Sequence, residues 1–396
     1  MGKVFHIRAL NSPDGAFREV ELDLPATDYE LLDLMEQLQL ENGKRPYMEI
    51  HTAEEYSYLN MRIQEPDLFP LNALAKRLAE LNPHGMAAFE GLVCMDLQKG
   101  KQAIPIASLI NYAHSGECCH VVEDAVTDDE LGRFLVESGF VPETDSLPDA
   151  ALKLLDYAQI GKTHREAEGG SFTSFGYVER HAELPHIYEA MDFQSCKPSY
   201  TVLLNIARFP NTSIPEKRPK PVPLQLPASE EALQNALSQL GKADWNGVMA
   251  AILDCPVPSM NKSLFLENDI LLAIQWAEAL RALEKEGSLP KYKALINAAG
   301  CEEPTGALRF TGVLDEYEFA PTLHTEEDVA EAYLAENLSG ELLQAIRSHV
   351  NLWKLGKSLL EASDGALTPY GSIGRKDRQP IQEPENQPRQ GGMEMS

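Results

Sequence analysis

Ile160-Gly161-Lys162-Thr163-His164-Arg165-Glu166-Ala167-Glu168-Gly169-Gly170-Ser171-Phe172-Thr173-Ser174-Phe175-Gly176-Tyr177-Val178-Glu179-Arg180 recurs as Leu355-Gly356-Lys357-Ser358-Leu359-Leu360-Glu361-Ala362-Ser363-Asp364-Gly365-Ala366-Leu367-Thr368-Pro369-Tyr370-Gly371-Ser372-Ile373-Gly374-Arg375. Gly161/Gly356, Lys162/Lys357, Glu166/Glu361, Ala167/Ala362, Gly170/Gly365, Thr173/Thr368, Gly176/Gly371 and Arg180/Arg375 are identical without a gap. An internal repeat sets the architecture, so it is read before any single element. Both copies have a helix-to-hairpin shape: a charged helical stretch, glycines, then a Thr-x-x-Gly turn between short strands. Gly170, Thr173, Phe175 and Gly176 are assigned to structure, with glycines at positive φ. Tyr157 and Tyr177 are assigned to packing.

Working back from this signature, each copy opens on a strand, Val4-Phe5-His6-Ile7-Arg8 and Val202-Leu203-Leu204-Asn205-Ile206. A turn at Asn11-Ser12-Pro13-Asp14-Gly15 follows in the first copy, and a Pro-rich loop takes its place in the second. Leu22-Asp23-Leu24-Pro25-Ala26-Thr27 then matches Leu224-Gln225-Leu226-Pro227-Ala228-Ser229. Thr27 and Ser229 are natural N-caps. The first helix carries Leu31, Leu34, Met35 and Leu38 on its apolar face and leaves Glu30, Asp33 and Glu36 outside it. A second helix begins near Asp67 and Asp269, with Leu71, Leu74, Leu78 and Leu81, or Ile270, Ala273, Ala277 and Leu280, at helical spacing. Thr127 and Thr325 cap a later helix, each with an acid three residues on, and Gly139 closes the first of these. Trp276 and Trp353 are read as core.

The fold class expected is α+β: two tandem repeats, each with a small N-terminal α/β part, a helical middle and a C-terminal α+β part with a hairpin. Repeat 1 spans 1–195, with subdomains at about 1–65, 66–118 and 119–195. Repeat 2 spans 196–376 and includes the Pro-rich loop 210–223. Residues 377–396, rich in Pro, Gln and Gly, are expected to be a disordered tail.

The chain of 396 residues is 43% hydrophobic, enough to bury cores, and carries a net charge of -27. Such a field repels nucleic acid and anionic membrane surfaces and attracts basic ones. No apolar run approaches the ~18 residues of a membrane helix, and no leader pattern is present. Six cysteines without framework spacing read as reduced thiols of a cytoplasmic protein.

The acidity is concentrated. Glu117 to Asp149 holds ten acids against Arg133 alone, and Asp315 to Glu341 holds nine with no Lys or Arg. Like charges crowded on helices cost a few tenths of a kcal/mol per pair, about 0.2–0.5. An ordinary solvated face intersperses both signs, so a face this uniform points to a role. Duplex DNA presents one phosphate per ~1.7 Å of axis, and carboxylates spread along a protein can offer a basic groove a similar field.

No catalytic constellation stands out: there is no P-loop, no GxGxxG after a strand, no HExxH and no GxSxG. Paired acids such as Glu54-Glu55 and Asp128-Asp129 are too common to decide anything. His114, Cys118, Cys119 and His120 fit no standard zinc spacing. The chain is therefore read as not an enzyme, with no metal and no cofactor.

The terminal signature, the Leu-x-Leu-Pro-Ala turn and the acidic, helix-rich character resemble the ArdA antirestriction family. The likeness is closest over Leu155-Asp156-Tyr157-Ala158-Gln159-Ile160-Gly161 and Phe172-Thr173-Ser174-Phe175-Gly176-Tyr177-Val178. It covers residues 1–190 well and 199–376 more weakly. It implies an elongated DNA mimic of three subdomains per repeat, encoded on a mobile genetic element. Its partner would be a type I restriction–modification enzyme, whose DNA-binding groove it fills; it would bind no nucleic acid directly. The chain departs from the family by its duplication, and would act as a homodimer or as a monomer resembling a dimer. In copy two, Leu352 stands for Tyr157 and Pro369 enters the hairpin. The partner-binding residues expected are Glu123, Asp124, Asp128, Asp129, Glu130 and Glu137, with Glu326, Glu327, Asp328 and Glu331. The alternative is a non-catalytic regulatory or assembly protein of a mobile element, binding through an apolar patch, its charge serving solubility. A hydrolase would require a deep pocket of convergent titratable groups.

Overall fold

The alternation at Phe5-His6-Ile7-Arg8 becomes the centre of a sheet. The computed structural model describes residues 2–384 except 13–17, 41–43, 145–146, 153, 194–196, 209–219, 266–268 and 348. The Pro13-Asp14-Gly15 part of the first turn, most of the Pro-rich loop and residues 385–396 of the tail therefore lie outside the described residues. The protein is α+β, with several small sheets. It divides into two compact units, residues 1–27 with 38–196 and residues 28–37 with 197–396.

In the first unit β1 (Phe5–Leu10) lies between β2 (Glu19–Leu24) and β3 (Tyr47–Thr52), antiparallel to both. The period of two sends Phe5, Ile7 and Ala9 fully inward. His6 and Arg8 go to the other face, where His6 meets Asp23 at 2.7 Å and Arg8 pairs with Glu19 and Glu49. The helix between β2 and β3, α1 (Asp28–Leu38), falls within the second unit up to residue 37.

A parallel pair, β4 (Ile63–Gln64) and β5 (Ile104–Pro105), brackets α2 (Leu68–Leu78) and α3 (Pro83–Gln98). Leu71, Leu74 and Leu78 are buried as their spacing requires. Asn82 caps α3 by accepting the Gly85 N–H at 2.8 Å, with Pro83 in the first turn. Then come α4 (Ile106–Ala113), β6 (Cys119–Glu123), α5 (Asp128–Glu137), α6 (Asp149–Leu152), α7 (Tyr157–Glu168), β7 (Ser171–Thr173), β8 (Gly176–Arg180) and α8 (Ile187–Ala190). The last sheet has the order β6-β8-β7.

The second unit builds a sheet in the order β10-β9-β11-β12 from β9 (Val202–Arg208), β10 (Val222–Leu226), β11 (Val248–Asp254) and β12 (Leu264–Phe265). Between β10 and β11 runs α9 (Glu230–Gln239), whose N-cap Ser229 accepts the Ala232 N–H at 3.2 Å. Next come α10 (Ile270–Lys285), α11 (Leu289–Ala298) and α12 (Pro304–Phe310), around the buried Trp276. Its indole N–H donates to the Tyr292 hydroxyl at 2.9 Å, and that hydroxyl donates to the Ala307 carbonyl at 2.6 Å. The unit closes with β13 (Tyr317–Ala320), α13 (Glu326–Asn337), α14 (Gly340–Arg347), α15 (Leu352–Ser363), β14 (Ala366–Thr368) and β15 (Gly371–Arg375), the strands ordered β13-β15-β14. Beyond β15, Ile381 packs on the core and Glu383 pairs with Arg309.

Three expectations need correction. Asp33 is not on an exposed face of its helix: it is 5% exposed, and the Lys293 ammonium, itself buried, meets its carboxylate at 2.6 Å. Glu36 binds the same ammonium at 2.6 Å, and the Tyr370 hydroxyl lies 3.1 Å from both Asp33 oxygens. Trp353 is not core: it is 44% exposed on α15, its ring covered by the Lys357 ammonium at 5.3 Å. Gly170 does not have a positive φ. It is small because a Cβ there would lie 2.2 Å from the Tyr177 hydroxyl oxygen. The positive φ values belong to Gly169, which ends α7, and to Gly176 in the hairpin.

Candidate acidic interaction surface

The turn into α5 is built by its own side chains. Thr127 Oγ1 accepts the Glu130 N–H at 3.3 Å, while the Glu130 carboxylate accepts the Val126 N–H and the Thr127 hydroxyl, each at 2.9 Å. This reciprocal cap satisfies N–H groups that a helix start leaves open. The hydroxyl and N–H donors hold the Glu130 carboxyl below its ordinary range.

Two glycines let α5 and α7 touch. A Cβ on Gly161 would lie 1.9 Å from the Asp128 carbonyl oxygen, and one on Gly132 would lie 1.9 Å from that of Tyr157. Close approach brings Arg165 of α7 to Asp128 of α5, in a fork with N–O distances of 2.8 and 3.0 Å. This pair holds the Asp128 carboxyl below its usual range. Asp129 is engaged by Arg133 at 2.7 Å, and that guanidinium stacks 4.5 Å from the Tyr157 ring centre.

Since the folded pKa of Asp128 is depressed, its pairing stabilises the protein above the unfolded carboxyl value and fades as pH falls through the folded one. Asp128→Asn is expected to lower the thermal midpoint at neutral pH. The gap to the native chain should close on acidification; a gap constant down to the acid limb would contradict the role of this pair.

The second unit repeats the device on α13. Thr325 Oγ1 accepts the Asp328 N–H at 3.1 Å, and the Asp328 carboxylate accepts the His324 and Thr325 N–H groups, each at 3.0 Å. Burial pulls Asp328 upward, but these donors outweigh it and leave the carboxyl below its usual range. A Cβ on Gly356 would lie 1.7 Å from the Glu326 carbonyl oxygen, so α13 and α15 also meet through a glycine. Glu331 pairs with Arg347.

The ten acids named from the sequence thus separate. Asp128, Asp129, Glu130, Asp328 and Glu331 serve the fold locally. Glu123, Asp124, Glu137, Glu326 and Glu327 have no side-chain hydrogen bond or ion pair among the described residues, and all but the half-buried Glu326 are exposed. Asp124 sits at φ 62°, turning the chain out of β6 just before the cap. These five can attract a basic surface without first giving up an internal partner.

Sequence reasoning missed the exposed apolar residues of both units. Phe134 and Phe140 stack 6.0 Å apart and are exposed, with Leu154, in the first unit; Tyr333, Leu342 and Trp353 are exposed in the second. Their signal was faint: Phe134 falls beside Leu131 and Leu135 but off the face these two bury. It also missed Lys293, whose signal was a lone cation in the apolar run Tyr292-Lys293-Ala294-Leu295-Ile296.

No family model, no curated protein and no solved structure matches this chain. Among the described residues no three His, Cys, Asp or Glu side chains gather where a metal could sit. His120 instead stacks on His181 at 4.1 Å, and burial pushes the Cys119 thiol up to about 12. Among them, too, no helix is long and apolar enough to cross a membrane.

Proposed function

We propose that the chain is a non-catalytic, ArdA-like antirestriction protein of two tandem repeats. It occupies the DNA-binding groove of a type I restriction–modification enzyme in the cytoplasm of a cell that carries a mobile element. The observation that carries this reading is that each unit presents carboxylates without a side-chain hydrogen bond or ion pair among the described residues, Glu123, Asp124 and Glu137 around α5 of the first and Glu326 and Glu327 at the start of α13 of the second. The tandem reading is supported by the matched strand orders β6-β8-β7 and β13-β15-β14, the two Thr caps and the two helix-crossing glycines.

The test is displacement of a DNA duplex from a type I modification methyltransferase across a salt series. Mimicry weakens steeply as salt rises, because charges separated by more than a Debye length of ~8–10 Å are screened. Neutralising Asp128, Asp129 and Glu130 would damage the fold together with the surface. The informative variant is Glu123→Gln, Asp124→Asn, Glu137→Gln and Glu327→Gln. Asn tolerates the left-handed backbone at 124. Displacement by this variant is expected to weaken on the order of tenfold at low salt, with a flatter salt slope. Full displacement would sink the assignment of these residues.

The exposed aromatic residues favour a second reading, a regulatory or assembly protein that docks through an apolar patch. Binding that persists or strengthens at high salt, and falls with Phe140→Ser, would favour it.

A further inference from the structure

Strand register shows a side chain removed from one unit relative to the other. In the first unit Tyr177 stands opposite Val122 and Phe172, and Glu179 opposite His120. Tyr177 is fully buried and forms a core with Leu131 and Leu135 of α5. In the second unit the same register puts Ser372 opposite Ala320 and Leu367, and Gly374 opposite Glu318. Tyrosine has become serine and glutamate has become glycine, while the helices above remain.

The space is not refilled. A groove of about 760 Å³ lies there, floored by Ser372 and Gly374 and walled by Tyr333, Leu359 and Leu360. Tyr333 is 44% exposed, whereas Leu135, at the same step of α5, is 4% exposed. A volume of this size is ordinary for small ligands, ~300–1,000 Å³. A floor without bulky side chains suits a planar ring.

The groove also carries charge opposite to that of the acidic surface around it. Arg375, Lys376 and Arg378 line it, against Glu318. Arg375 is taken by Asp377, at 2.8 and 2.9 Å, and by Glu316 at 3.6 Å. Lys376 and Arg378 are exposed and have no side-chain hydrogen bond or ion pair among the described residues. Two uncommitted cations beside a groove walled by Tyr333, Leu359 and Leu360 select an anion with an apolar body.

We propose that this groove binds a small planar aromatic carboxylate. Its ring takes the place that the Tyr177 side chain fills in the first unit, and its carboxylate sits on Lys376 and Arg378. The site is separate from the carboxylates that carry the proposed function, and its test involves no DNA-binding partner.

Naphthaleneacetate is the probe, titrated into the full chain by equilibrium dialysis. One saturable site is expected. Ser372→Tyr, which restores the first unit's tyrosine, should weaken binding at least about tenfold, with the thermal midpoint unchanged or raised. Lys376→Ala with Arg378→Ala, on the surface, should weaken it about three- to tenfold. Naphthalenemethanol, lacking the charge, should bind correspondingly less well. Absence of saturable binding up to millimolar probe overturns the site. Undiminished binding by folded Ser372→Tyr does the same, and equal affinity for the neutral analogue overturns the anion assignment.

Discussion

Lys293→Met is expected to be the most destabilising single change in the second unit, at about 3–5 kcal/mol, the cost typical of removing one partner from a buried ion pair. The ammonium is 4% exposed and lies 2.6 Å from both Asp33 and Glu36. It also lies 5.4 Å from the Tyr370 ring centre. Without it, two carboxylates remain in a site that holds one of them almost wholly out of water. At about 2–4 °C per kcal/mol, the loss is visible in a thermal scan. Adding Asp33→Asn and Glu36→Gln to Lys293→Met should recover part of it, because the uncompensated charge rather than the missing cation is the main cost. No recovery would show the cost to be lost packing.

The same cluster predicts an alkaline limb. Burial alone would lower the Lys293 pKa, but Asp33 and Glu36 outweigh it and raise the value. A raised folded pKa means a contribution complete below the unfolded lysine value, near 10.5, and lost as pH rises through the folded one. Burial and the Asp33 charge also push the Tyr370 hydroxyl up, so its titration destabilises in the same direction. The native chain should therefore lose stability above about pH 10 more steeply than Lys293→Met; parallel curves would remove this cluster from the account.

Gly161→Ala is the second large effect. The added methyl would sit 1.9 Å from the Asp128 carbonyl oxygen, which is backbone and cannot turn aside. The helices must separate, and overpacking of this kind costs about 1–3 kcal/mol. Separation also lengthens the Asp128–Arg165 fork. Gly356→Ala, whose methyl would meet the Glu326 carbonyl at 1.7 Å, should behave alike. Gly340→Ala, with nothing within 4 Å of the new atom, is the control and should change stability by less than about 0.5 kcal/mol. Equal midpoints for all three variants would contradict the helix crossing.

Much of this was legible in the order of residues. Thr127 and Thr325 cap helices because a hydroxyl three residues before a free N–H can reach it whatever the surroundings. The strand at Phe5–Leu10 and the hairpin at Thr173–Gly176 are likewise local, the Thr173 hydroxyl donating to the Gly176 carbonyl at 2.8 Å. The repeated Gly161 and Gly356 were visible as a pattern, but the carbonyls they admit were not. The acid bands were plain, yet which acids were free was not. Whether Asp129 faces solvent depends on one arginine a helical turn away, and Asp128 depends on Arg165 in another helix.

The sequence by itself therefore determined the α+β elements, their caps and turns, and the concentration of negative charge, all set by neighbours within a turn or a strand pair. Tertiary structure alone decided that Asp33 is buried against a lysine 260 positions away, that half the named acids are occupied, and that a groove opens over Ser372 and Gly374. Burial, pairing and empty volume depend on which distant segments meet, and no local propensity encodes that meeting.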